Sequence, residues 1–185
     1  MKKNLLTLTL LCVFGIAFAQ EKTKGKADST VAAISGKNEI KVNLLMGILA
    51  MPEISYERIF DNNTGAGLSV SVGLDDDIEY KFGVVPYYRI YFGNAKKSSG
   101  FFIEANAALM QTKEFNYYYD PYSGFSYGSD QSRWNVGMGA AAGGKFLTKN
   151  GFIGELSFGV GRFFNRKNDG LEAYPRVGIT IGKRF

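Results

Sequence analysis

From Glu39 to Phe185 the side chains alternate with a period of two, and nothing else in the sequence restricts the fold as much. Ile40, Val42, Leu44, Met46 and Ile48 alternate with Lys41, Asn43, Leu45 and Gly47. The same rhythm returns near 54–57, 67–74, 80–92, 101–109, 133–143, 152–161 and 176–185. Period two is the signature of a strand with two unlike faces, and no stretch has a convincing helical period. The reading is eight strands. A tilted membrane-crossing strand needs about 9–11 residues, and eight strands make the smallest barrel of that kind. The predicted fold is therefore all-β, an eight-stranded antiparallel up-and-down transmembrane β-barrel over residues 39–185.

Alternation does not say which face is wet. A soluble barrel of lipocalin type turns its apolar face inward, whereas a membrane barrel turns it out. Three features favour the second. The polar face is rich in small residues, as at Gly67, Ser69, Ser71, Gly73 and Gly137, Gly139, Ala141, Gly143. Small residues suit a crowded barrel interior. Aromatic residues stand near strand ends on the apolar face: Tyr56, Phe60, Tyr80, Phe92, Phe101, Trp134, Phe152 and Phe185. The connections also alternate in part. The turns at 61–65, 93–100 and 148–151 are short, while 113–130 and 165–172 are longer and polar. With both termini periplasmic, the short turns are periplasmic and the longer loops external. The loops near Ala50 and Asp75 break this rhythm by being short.

The first nineteen residues have the form of a secretory leader. Met1-Lys2-Lys3 is basic, Leu5 to Phe18 is largely apolar, and Ala17-Phe18-Ala19 is an A-x-A cleavage signal. Residues 20–38 are polar and lysine-bearing without clear period, as expected of a flexible periplasmic segment. The single cysteine, Cys12, lies in the leader and follows Leu11, which does not fit a lipoprotein signal. The mature chain is thus expected to have no disulfide. The full sequence has a net charge of +5, which falls further once Lys2 and Lys3 are removed, and this argues against a nucleic-acid partner.

The chain contains no histidine. Without histidine or a mature cysteine, the usual nucleophile–base pairs are unavailable, and transition-metal sites lose their commonest ligands. The expectation is a protein that is not an enzyme and uses no cofactor or metal. Three carboxylates on the polar face, Glu57, Glu104 and Glu155, are instead matched with bases. Glu57 lies roughly opposite Lys41 or Asn43, Glu104 opposite Arg89, and Glu155 opposite Lys145. These are expected to be structural ion pairs in a filled interior, with a charge-lined gated pore as the alternative. Tyr87, Phe102, Arg133, Arg176 and Arg184 are also expected to point inward.

Two outer segments are candidate binding surfaces. The stretch 113–130 carries Tyr117, Tyr118, Tyr119, Tyr122 and Tyr127 among Gly, Ser and Asn, a composition suited to adaptable contact surfaces. Asp75, Asp76 and Asp77 could bridge lipopolysaccharide phosphates through a divalent ion, or be merely solvated.

The segments "KVNLL" (41–45), "ISYER" (54–58), "YYRIYF" (87–92) and the closing "GITIGKRF" resemble those of the small eight-stranded outer-membrane barrels of the OmpA/OmpX type. In particular they resemble those of an uncharacterised Bacteroidota-type group. The resemblance implies that the terminal aromatic, Phe185, is an assembly signal read by the barrel-assembly machinery. The whole reading is a non-enzymatic Gram-negative outer-membrane barrel with a structural or surface-interaction role. Its partners are outer-membrane lipid, lipopolysaccharide and an unnamed external or envelope protein. A narrow channel, or an accessory barrel in envelope biogenesis or secretion, are the alternatives.

Overall fold

The computed structural model describes residues 36–60, 63–75, 78–93, 98–119, 121–122, 124, 126–164 and 173–185. The leader at 1–19 and nearly all of the segment 20–38 lie outside the described residues. The strands are β1 (Asn38–Asn43), β2 (Glu53–Phe60), β3 (Thr64–Val72), β4 (Tyr80–Tyr91), β5 (Gly100–Tyr119), β6 (Ser126–Leu147), β7 (Phe152–Phe163), β8 (Ala173–Pro175) and β9 (Gly178–Arg184). One helical turn, α1 (Leu44–Ile48), follows β1. Each strand from β1 to β7 pairs antiparallel with the next, and β9 pairs with both β7 and β1, which closes the sheet into a barrel. β8 and β9 are one strand in a single register against β7, from Ala173 opposite Arg162 to Lys183 opposite Phe152. The amide of Arg176, between them, still bonds the carbonyl of Gly159 at 3.0 Å. The barrel therefore has eight strands.

Both ends of the described chain meet at one rim, called here the near end. Asn38 and Phe185 exchange backbone hydrogen bonds of 3.0 and 2.8 Å, so the last residue is fixed in the sheet. The near end also carries the turns after β2, β4 and β6. The far end carries α1 and the connections after β3, β5 and β7.

The face assignment is that of an inverted barrel. Ile54, Leu68, Val70, Tyr88, Ile90, Ile103, Val136, Leu156, Phe158, Ile179 and Ile181 all point outward and are exposed. Their alternating neighbours, among them Glu57, Ser69, Arg89, Glu104, Asn135, Lys145 and Glu155, are buried inside. A lipocalin-like arrangement has the opposite polarity and is excluded. At the near end, Phe60, Phe92, Phe101, Phe146, Phe152 and Phe185 form an exposed ring of phenylalanines. Trp134 stands outward toward the far end, with Phe82 edge-on at 6.1 Å between centroids.

Four expectations are corrected. The first strand does not run to Ile48. It stops at Asn43, whose side chain accepts from the Met46 amide at 3.3 Å and caps α1. A side-chain acceptor at this position offers the backbone a helical start that outcompetes the alternation. The stretch 113–130 is not a long loop, because β5 and β6 continue as a two-stranded ribbon to Tyr119 and Ser126. Aromatic-rich sequence favours extended pairing, and Tyr118 lies opposite Tyr127 in the register. Tyr80 is no outward girdle residue. A register shift between Tyr80 and Phe82 rotates it onto the interior, where it packs on Val85, Met110 and Tyr174. Arg133, expected inside, is exposed, since β6 has by then run past its ladder with β7, which reaches only to Gly137 opposite Phe163.

Candidate functional site

The interior is built mainly by alternation, with α1 and the shift at Tyr80 as exceptions. Every second residue of each strand points in, so each wall contributes its charges at heights set by the register. Arg89 lies directly opposite Glu104 across β4–β5, and Lys145 directly opposite Glu155 across β6–β7. Glu57 faces Glu39, not Lys41, in the β1–β2 register, so the Lys41–Glu57 contact is diagonal.

These side chains do not form separate pairs. The Lys41 ammonium bonds Glu57 and, at 3.0 Å, Glu155. Arg89 donates to Glu104 at 2.7 Å, Glu155 at 2.9 Å and Glu57 at 3.1 Å. Lys145 lies 2.8 Å from Glu39, 3.3 Å from Glu155 and 3.4 Å from Glu57, and also bonds the Tyr91 hydroxyl. Tyr91 in turn donates to Glu57. Arg176 bridges Glu104 at 2.8 Å and Glu53 at 3.0 Å and reaches the Ser69 hydroxyl at 3.1 Å. Arg184 donates to Glu39 at 2.8 Å and to the Ser98 carbonyl at 3.3 Å. The result is one network that crosses the lumen from wall to wall. Five carboxylates (Glu39, Glu53, Glu57, Glu104, Glu155) balance five cations (Lys41, Arg89, Lys145, Arg176, Arg184). Burying an ion costs several kcal/mol, and only partners and hydrogen bonds of this quality offset it.

Aromatic rings complete the filling. The Arg89 guanidinium lies 4.6 Å from the Tyr87 ring centre and 4.2 Å from that of Phe102, and Lys145 lies 4.3 Å from that of Tyr91. Toward the far end the interior turns apolar, with Val85, Ala108, Met110, Phe163 and Tyr174 packed together. Tyr174 is fully buried and donates to Asn106 at 2.7 Å. Met46 and Met51, from α1 and the segment after it, are buried at the same end. A cavity of about 20 Å³ remains beside Met46, Met51, Met110 and Arg176, room for roughly one water molecule.

Oxygens of Glu39, Glu57 and Glu155 approach within 4.8 Å of one another, the spacing of a cation site. That role is taken by the ammonium groups of Lys41 and Lys145, which touch all three.

Glu39, Glu53 and Tyr91 are members that the sequence reading missed. A charge count holds the missing signal. Lys41, Arg89, Arg133, Lys145, Arg176 and Arg184, the six cations expected inside, outnumber Glu57, Glu104 and Glu155 and so call for further carboxylates nearby.

Of the proposed binding tyrosines, Tyr117, Tyr118 and Tyr119 fall at the end of β5, Tyr127 in β6 and Tyr122 at the tip. Tyr122 is fully exposed, while the side chains of the other four lie outside the described residues. Asp76 and Asp77 also lie outside them, and the Asp75 carbonyl accepts from Lys81 at 2.9 Å. Phe185 is exposed in the near-end ring. No family model, no curated protein and no solved structure matches this chain.

Proposed function

We propose that this chain is an integral outer-membrane β-barrel of Gram-negative type, non-enzymatic, with a structural or surface-interaction role. The observation that carries this reading is the inverted polarity of a closed wall: apolar and aromatic residues outside, a charge-balanced network within. Such a surface is costly in water and suited to lipid and lipopolysaccharide. In this reading the near end faces the periplasm and the far end the exterior. The ring containing Phe185 sits at the inner interface, where the assembly machinery would read it.

The ribbon formed by the ends of β5 and β6 favours surface interaction over a purely structural role. It projects past the barrel wall and ends on the exposed Tyr122. The filled lumen disfavours the channel reading. An accessory role in envelope biogenesis would use the same ribbon.

Fractionation of cells making the chain tests the proposal. The protein is expected in the outer-membrane fraction, resistant to carbonate extraction and shifting in gel mobility on boiling. Recovery as a soluble periplasmic protein would overturn it.

A further inference from the structure

We propose that α1 and its flanks lie within the hydrocarbon layer, with acyl chains as their partner, so that the first far-end connection is not an aqueous loop. The proposal rests on the membrane reading above and deepens it. β1 has six residues, roughly 20 Å of extended chain before any tilt, against an apolar band about 25 Å tall. The wall is therefore too short at this strand, and α1 stands where it ends.

The chain here has the chemistry that lipid requires. From Val42 to Pro52 there is no charged residue. Ile48 is 83% exposed, and Leu44 and Leu49 are also exposed. Exposed backbone in lipid must satisfy its own polar groups, and the turn of α1 pairs several of them internally. The Leu49 amide bonds Leu45 at 3.1 Å, Ala50 bonds Gly47 at 3.2 Å, Met51 bonds Met46 at 2.9 Å, and Asn43 caps the first turn.

The apolar surface is also continuous with the belt on both sides. The segment after α1 bonds β3 and the residue beyond it, through Val72 to Pro52 and Leu74 to Ala50, and Val72 and Leu74 are exposed outward. On the other flank, the Asn43 side chain bonds the Val177 carbonyl, and Leu45 lies beside Val177 and Ile179. A water-filled loop at this height would interrupt the belt with apolar groups facing solvent.

Single cysteines at Ile48, Phe158 and Tyr122, each in a Cys12→Ser chain, would be spin-labelled and reconstituted in phosphatidylcholine vesicles. Collision rates with oxygen, which enters lipid, are compared with those of a neutral nickel chelate, which stays in water. The label at Ile48 is expected to favour oxygen, as at the belt residue Phe158, with the sign reversed at Tyr122. Nickel preference at Ile48 together with oxygen preference at Phe158 overturns this proposal and leaves the membrane reading intact. Nickel preference at both overturns both. A label at Leu49 repeats the measurement on the same turn, and the two must agree.

Discussion

Arg89 connects more of the interior than a two-residue ion pair could, because three carboxylates meet its one guanidinium. Removing it strands Glu57, Glu104 and Glu155 with less positive charge than they need. Arg89→Gln is expected to cost about 3–5 kcal/mol, the range for breaking a buried ion pair. Arg89→Lys should fall between the two, since an ammonium cannot span three acceptors as a planar fork does. Urea unfolding of the refolded barrel measures both, and a cost below ~1 kcal/mol for Arg89→Gln would contradict the network. The interior glycines belong to the same scale. A Cβ on Gly161 would stand 2.0 Å from the Tyr174 ring, and that ring is pinned by Asn106 and cannot yield. Gly161→Ala is expected to destabilise by about 1–3 kcal/mol through overpacking. Gly154→Ala points into open space and should change stability by less than about 0.5 kcal/mol. At this scale the sequence was informative where the register is regular. Arg89–Glu104 and Lys145–Glu155 follow from counting back from their turns. Glu39 and Glu53 were not legible, because Glu39 pairs with Arg184 across the seam that joins the first strand to the last, and Glu53 meets Arg176 two strands away.

At the scale of elements, alternation identified every strand and its inner face, but it overran where a second local preference competed. Asn43 starts a helix by capping, which period two cannot reveal. The bulge at Tyr80 shifts one residue across the wall, and Pro86 leaves Val85 and Pro86 out of the β4–β5 ladder. The ribbon of β5 and β6 was hidden by its glycines and serines, which resemble loop composition although the tyrosines between them pair well in strands. Its orientation is testable. A cysteine at Gly124, at the ribbon tip, should react with a membrane-impermeant maleimide on intact cells, while one at Asn150 in a near-end turn should not. The reverse labelling pattern would invert the topology.

For the whole molecule, the decisive quantity is what the wall encloses. An eight-stranded barrel has an interior only wide enough for side chains to fill it. Here two unlike parts do so: the charge network, which runs from Glu39 and Arg184 at the near rim to Arg176 and Glu53, and the cluster of Val85, Met110, Phe163 and Tyr174 toward the far end. A layer of balanced charge excludes free ions because each fixed charge already has its partner. The apolar layer excludes them because it offers no hydration. Purified protein in planar bilayers is therefore expected to show no stable conductance. The two layers also make a graded prediction possible. Trimming Arg89 and Glu104 together to alanine removes the heart of the first layer but leaves the second, so that variant should remain closed. Adding Tyr174→Ala empties the space above Gly161 and Asn106, and this triple variant should leak. Steady current from the unmodified chain would favour the channel reading. Current from the double variant alone would show that the charge network is the only seal.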